Sequence, residues 1–207
     1  PRAMRGVTGL ILAGGKARRM GGGDKAFEVL TNKPIIAHVI KRIAPQVSEL
    51  IINAGGDVSR FNDFGLEVIA DVIDGQAGPL AGILTGMEWL ATNRADREWL
   101  LTVPVDTPFL PDDLVARLMQ PVLDGEAELT CAETNGRSHP VVGLWPAGLA
   151  GDLRRAMLDE DMRKIDLWTA RHRITHVAFD AEPIDPFFNV NRPEDMEAAA
   201  KILAEGN

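Results

Sequence analysis

Residues 7–25 read VTGLILAGGKARRMGGGDK, an apolar run followed by a loop that contains five glycines. The run over 7–13 is short and almost wholly apolar, which is typical of a buried strand. Glycines directly after a strand let the backbone turn tightly and approach a ligand closely. This beginning therefore predicts an α/β domain that binds a ligand at the end of its first strand.

The glycine loop concentrates positive charge in an acidic chain. The 207 residues carry a net charge of −8. Between residues 16 and 25 one acid, Asp24, stands against four cations: Lys16, Arg18, Arg19 and Lys25. The contrast favours a small polyanion as ligand, because glycine-loop N–H groups and cationic side chains both bind phosphate. The alternative is a solvent-exposed charged turn.

Two common phosphate-binding loops do not match this loop. A Walker A loop requires Ser or Thr after its Gly-Lys pair, and here Ala17 follows Gly15-Lys16. The dinucleotide fingerprint Gly-x-Gly-x-x-Gly cannot be read anywhere across the loop. The loop thus indicates phosphate binding of another kind.

Strand-like and helix-like segments alternate along the chain. Apolar runs predict strands at 7–13, 50–54, 67–70, 99–105, 128–133, 140–145 and 174–179. Helical spacing predicts helices at 34–43, 79–90, 111–119, 149–158 and 193–203. The alternation predicts one α/β domain over residues 1–207, with a mostly parallel twisted sheet and helices on both faces.

Composition narrows the class of protein. Apolar residues make up 45% of the chain and charged residues 25%, an ordinary globular balance. Cys131 is the only cysteine, so an internal disulfide is excluded and a cytoplasmic location is expected. The negative charge argues against nucleic-acid or anionic-membrane partners. The sequence also contains no apolar run of membrane-spanning length and no signal-peptide core.

Polar residues follow the predicted strands. Ligands of parallel sheets bind beyond the carboxyl ends of the strands. This rule brings four positions to one edge: Gly14, Asn53, Asp71 and Asp106. Asp106 suits Mg²⁺, which prefers carboxylate oxygen and shares its shell with phosphates; the alternative is an Asx turn before Pro108. Asp71 suits the two donors of a guanine edge, although both Asn53 and Asp71 also fit ordinary turns.

Three residues in the second half of the chain are candidates for a second substrate. Asn189 and Asn191 alternate, so both side chains can project from one side of an extended segment. Asn191 is equally suited to cap the helix that Pro193 begins. His139 precedes Pro140 and faces either a substrate or only the hairpin around Asn135-Gly136.

These motifs, taken in order, resemble those of the nucleotidyltransferases that activate sugars and cofactors, and most closely the molybdenum cofactor guanylyltransferases. The matching motifs are LAGG at 12–15, RMGG at 19–22, DK at 24–25, Asn53, Asp71, GPLAG at 78–82, PVDTP at 104–108, HP at 139–140 and NVN at 189–191. They span most of the chain.

The resemblance implies a Rossmann-like nucleotidyltransferase fold in which the N-terminal half binds the nucleotide and the C-terminal half the acceptor. The implied nucleotide contacts are Leu12, Ala13, Gly14, Gly15, Lys25, Asn53, Asp71 and Asp106. Catalysis is expected from Lys25, Arg19 and Asp106, with Mg²⁺ on Asp106. The implied acceptor or second metal contacts are Asn189, Asn191, Gly82 and His139.

The implied activity is transfer of GMP from GTP to the terminal phosphate of molybdopterin or molybdenum-molybdopterin. Cytidylyl-transferring relatives tend to carry Ala where this chain has Gly14, so the missing methyl is expected to admit a purine. Other molybdenum cofactor proteins and acceptor apoenzymes are further expected partners. The alternatives are a cytidylyltransferase, a sugar-phosphate nucleotidyltransferase and a non-catalytic nucleotide-binding module.

Overall fold

A computed structural model describes residues 6–14, 24–75 and 78–206 of the chain. The strands of this part are β1 (Val7–Leu12), β2 (Val29–Leu30), β3 (Lys33–Pro34), β4 (Glu49–Asn53), β5 (Glu67–Ile69), β6 (Trp99–Pro104), β7 (Leu129–Thr134), β8 (Arg137–Pro146) and β9 (Ile174–Phe179). Its α-helices are α1 (Ile35–Ile43), α2 (Pro79–Asn93), α3 (Leu114–Leu123), α4 (Ala150–Asp159), α5 (Ile165–Thr169) and α6 (Pro193–Glu205). Short 3-10 helices cover Lys25–Phe27, Ala44–Gln46, Val58–Phe64 and Ala147–Leu149.

The main sheet has seven strands in the order β5-β4-β1-β6-β8-β7-β9. Strands β5, β4, β1 and β6 are parallel to one another, and β7 is parallel to β9. Only β8 runs the other way, antiparallel to both β6 and β7. The predicted single domain with a mostly parallel sheet is therefore confirmed.

Helices cover both faces of this sheet because its central strands are apolar on both sides. On β1, Ile11 packs into a core with residues of α1 and α3, such as Val39 and Leu118. The neighbouring Leu10 points to the other face and packs into a core with residues of α2 and α4, such as Leu84. Side chains alternate between the faces along a strand, so a continuous apolar run supplies both cores at once.

Two local predictions differ from the structure. The helix predicted at 111–119 begins later, at Leu114, and continues to Leu123, with Pro121 in its last turn. The chain before Leu114 forms turns instead, and so Asp112 and Asp113 precede the helix. The second difference is the hairpin of β2 and β3, whose turn residues Thr31 and Asn32 have φ of 44° and 65°. Its strands are two residues long, too short for a periodic pattern.

Across the described residues, no helix combines the length and the apolar character that a bilayer crossing requires.

Gly143 on β8 leaves space for the ring of Trp145, which is fully buried. A Cβ at Gly143 would lie 2.5 Å from Trp145 Cζ2 and 3.2 Å from Thr130 O. The ring is held, because Trp145 Nε1 donates to Thr102 Oγ1 at 2.8 Å. We expect Gly143→Ala to lower the free energy of unfolding by about 1–3 kcal/mol, the usual cost of overpacking a core.

The measurement is urea denaturation, with tryptophan fluorescence as the signal of unfolding. Gly148→Ala is the matched control, since a Cβ there meets open space. Equal midpoints for the two variants would contradict this account of the contact.

Candidate active site

The carboxyl ends of four parallel strands meet at one edge of the sheet, here called the carboxyl edge. The polar and glycine positions on it are Gly14 after β1, Asn53 at the end of β4, Asp71 after β5 and Asp106 after β6. Backbone bonds continue past the strands there, since Ala13 N donates to Asn53 O at 2.8 Å. The four positions come together, as a parallel sheet requires.

Asn53 and Asp71 form a hydrogen-bonded pair on the carboxyl edge. Asn53 Nδ2 donates to Asp71 Oδ1 at 2.9 Å and to Ile69 O at 3.2 Å. Asn53 is buried and Asp71 is exposed, so a fixed amide holds a carboxylate that faces solvent. The second oxygen of Asp71 receives no donor from the described residues, which leaves it open to a ligand.

Gly82 lies behind this pair. A Cβ at Gly82 would be 2.6 Å from Leu12 Cδ2 and 2.7 Å from Asn53 Oδ1. Glycine thus allows α2 to pack directly against the Asn53 side chain. Gly82, which the resemblance grouped with the acceptor or metal contacts, is buried in α2 and packs against the carboxyl edge. Its contact with a second substrate or a metal stays a prediction.

Lys25, Asp106 and Asn191 form the central cluster of the site. Lys25 Nζ donates to Asp106 Oδ2 at 2.8 Å and also to Asn191 Oδ1. The side chains of Lys25 and Asp106 are 8% and 20% exposed, so this ion pair is largely shielded from water. Residues 81 and 166 positions away from Lys25 in sequence thus meet its ammonium group.

The segment around Asn191 is anchored by the backbone of Asp106. Val190 N donates to Asp106 O at 2.9 Å. Asp195, not Asn191, caps the following helix α6, because its Oδ2 accepts from the N–H groups of Asn191 and Arg192 at 2.9 Å each. The Asn191 side chain is thereby left to contact Lys25, and capping by Asn191 is excluded.

A cleft of about 280 Å³ opens beside Asp106. It is lined by Pro104, Asp106, Thr107, Arg137, Ser138, His139, Pro140, Val141, Val142, Phe187 and Asn189. Asn189 and His139, which the sequence placed on a second substrate, therefore share a cleft with the carboxylate. The cleft and the carboxyl edge meet at Asp106.

His139 is held in one orientation in the cleft. Its Nε2 lies 2.6 Å from Thr134 Oγ1, and its ring is 4.7 Å from that of Phe187. Burial lowers the pKa of His139 below its ordinary value of 6.5, Asp185 opposes this shift, and Arg137 adds to it. The imidazole is consequently neutral at pH 7.

Sequence reasoning missed two residues of the cleft, Arg137 and Phe187. Arg137 forms no ion pair within the described parts of the chain, so its charge faces the cleft without a fixed counter-ion. A signal for it existed, since Arg137 and His139 are two residues apart on a strand and share a face. Phe187 stands two residues before Asn189 but in a turn, so no strand periodicity marked it.

Other predicted residues take less central positions. Cys131 is buried in β7, where burial raises the pKa of its thiol to about 12, and so a nucleophilic role is excluded. Gly15 and Arg19, together with Lys16 and Arg18, lie outside the described residues.

Comparison with known proteins supplies relatives for this geometry. A sequence model described as the MobA-like NTP transferase domain matches residues 9–174. A molybdenum cofactor guanylyltransferase from Rhodopseudomonas palustris strain BisB5 is 52% identical over 193 residues, or 93% of this chain and 92% of that protein. Another from Bradyrhizobium sp. strain ORS 278 is 48% identical over 96% of this chain and 93% of that protein.

Two solved structures share the fold. Molybdopterin-guanine dinucleotide biosynthesis protein A from Archaeoglobus fulgidus superposes with a TM-score of 0.73 at 20% identity, covering 96% of this chain and 99% of that one. A CMP:2-keto-3-deoxy-manno-octonic acid synthetase complexed with CTP reaches a TM-score of 0.72 at 15% identity, covering 97% and 99%.

We expect the imidazole of His139 to titrate below pH 6.5, because burial disfavours its charged form. Arg137→Ala removes a nearby positive charge and should raise this pKa, whereas Asp185→Asn should lower it further. The measurement is NMR titration of the four histidine rings, with His139 assigned through His139→Gln. A native value at or above 6.5, or shifts of the reversed sign, would contradict this description of the cleft.

Proposed function

Because the chain belongs to the MobA-like NTP transferase family, we propose that it transfers GMP from GTP to the terminal phosphate of molybdopterin, with release of pyrophosphate. Relatives named for guanylyl transfer to the molybdenum cofactor support this choice of substrates. The observation that carries the proposal is the Lys25–Asp106 pair, which lies where the carboxyl edge meets the cleft. A cation and a carboxylate at such a junction suit a reaction between two phosphates.

The carboxyl edge is proposed to bind GTP. The carboxylate of Asp71, which Asn53 holds through Oδ1, suits the N1–H and exocyclic amine of guanine, and adenine lacks this pair of donors. The glycine loop is proposed to hold the triphosphate with backbone N–H groups. For Leu12, Ala13, Gly14, Gly15 and Arg19, the proposed nucleotide contacts rest on the sequence motif.

The cleft is proposed to bind the acceptor. Asn189, His139 and Arg137 present an amide, a neutral imidazole and a guanidinium to it. Arginine binds phosphate oxygens in pairs, and so Arg137 suits the terminal phosphate of the acceptor. This arrangement directs that phosphate toward Asp106 and the nucleotide.

The residues present also fit Mg²⁺. The carboxylate of Asp106 and the amide oxygens of Asn189 and Asn191 are oxygen donors of the kind that Mg²⁺ takes. Among the described residues no group of three His, Cys, Asp or Glu side chains is gathered. A Mg²⁺ ion there would keep waters and substrate phosphates in its shell. Bound there, the ion would neutralise charge on the phosphates.

In the proposed reaction an oxygen of the acceptor phosphate forms a bond to the α-phosphorus of GTP. The bond from that phosphorus to the bridging oxygen breaks, and pyrophosphate leaves with the electron pair. The acceptor is largely dianionic at pH 7, since the second pKa of a phosphate monoester is about 6, so no strong general base is needed. Lys25 and Arg19 neutralise the charge of the leaving group, and the cleft orients the acceptor.

The proposal is tested by following pyrophosphate release from GTP and, separately, CTP with Mg²⁺ and molybdopterin. We expect release with GTP, and Asp106→Asn and Lys25→Ala to lower kcat by about 100-fold, as loss of a transition-state charge contact does. Circular dichroism would establish that both variants fold. Faster release with CTP, or native turnover by Asp106→Asn, would overturn the proposal.

Gly14 is proposed to bias the site toward guanine. A Cβ at Gly14 would lie 3.6 Å from Asn53 Oδ1, an ordinary contact, so Gly14→Ala is expected to fold normally. Its methyl would occupy space beside the base, and we expect kcat/KM for GTP to fall about tenfold more than kcat/KM for CTP, equivalent to about 1.4 kcal/mol.

Gly151→Ala serves as the control, since a Cβ there meets open space away from the edge. Equal losses of kcat/KM for GTP and CTP would show that Gly14 is not the source of the base preference.

A further inference from the structure

Arg60 contacts the residue that precedes Lys25. Its Nε donates to Asp24 Oδ2 at 2.7 Å, and the two side chains are 25% and 24% exposed. Asp24 also begins the 3-10 helix Lys25–Phe27, because its Oδ1 accepts from Ala26 N at 3.3 Å. The same carboxylate thus binds Arg60 and the first turn of the segment that carries Lys25.

Arg60 is itself fixed on its own 3-10 helix, Val58–Phe64. Its guanidinium lies 4.5 Å above the ring of Phe61, which is fully buried, and Nη1 donates to Asp57 O. Asp57 in turn caps this helix, accepting from Ser59 N at 3.0 Å. The guanidinium that contacts Asp24 is therefore held in place by its own 3-10 helix.

The same helix also supports the far end of the Lys25 segment. The ring of Phe27 lies 5.2 Å from that of Phe61 and 6.2 Å from that of Phe64. Residues on both sides of Lys25 are consequently held by 58–64. The Lys25 backbone is fixed on that side, while its Nζ reaches Asp106 and Asn191 on the other.

We infer that Arg60 is a positioning residue for nucleotidyl transfer, acting through Asp24 to hold the Lys25 ammonium where the triphosphate is bound. The inference rests on the proposed function. Arg60 hydrogen-bonds neither Lys25 nor Asp106, so its effect passes through the chain at Asp24. A partly exposed ion pair contributes little to global stability, whereas a small displacement of a catalytic charge is costly for the rate.

The experiment is a double-mutant cycle between Arg60 and Lys25. We expect Arg60→Ala to lower kcat about tenfold with nearly unchanged Tm, and to have no further effect in Lys25→Ala. Arg60→Lys should recover part of the rate, because lysine keeps the charge beside Asp24 but not the planar contact with Phe61. Arg154→Ala, which removes the ion pair to Glu88, is the matched control and should keep the native rate.

Two results would overturn the inference. One is a native kcat in Arg60→Ala, and the other is an equal loss of kcat when Arg60→Ala is added to the native protein and to Lys25→Ala. The cycle is also measured on the Kd for GTP by calorimetry. If the native protein binds GTP but transfers no GMP to molybdopterin, the proposed function fails. The double-mutant cycle on the Kd for GTP then still tests the inference. Coupling between Arg60 and Lys25 in this Kd supports it, and independent effects of the two substitutions overturn it.

Discussion

The ion pair between Lys25 and Asp106 joins parts of the chain that the sheet alone does not bring together. Its carboxylate stands at the end of β6, its ammonium enters from the end of the glycine loop, and Asn191 completes it from the C-terminal segment. Charges removed from water attract strongly but are unfavourable alone. In the structure each charge is the counter-ion of the other. In the proposed reaction Mg²⁺ would replace Lys25 as the counter-ion of Asp106, and the triphosphate would replace Asp106 as the counter-ion of Lys25.

The pair depends on the layered sheet beneath it. Central strands that are apolar on both faces bury their side chains under α1 and α3 on one side and under α2 and α4 on the other. Because helices cover both faces of the sheet, the polar groups that follow the strands lie at its edge. The same pattern of residues that builds the core thus also assembles Asn53, Asp71 and Asp106.

Much of this could be predicted from sequence because the signals are local. Apolar runs and strand-end residues located every strand of the main sheet and the four positions of the carboxyl edge. The contacts of Lys25 could not be predicted, because Asn191 is 166 residues away and no periodicity encodes that distance. The packing role of Gly82 and the insertion of β8 between β6 and β7 likewise depend on how distant elements meet.

The bond from Val190 N to Asp106 O ties the segment 189–191 to the end of β6. The bond fixes the backbone of this segment, while the Asn189 side chain lines the cleft and the Asn191 side chain contacts Lys25. A movement of this segment would therefore displace a side chain of the cleft and a partner of Lys25 together, which links the two sides of the site mechanically.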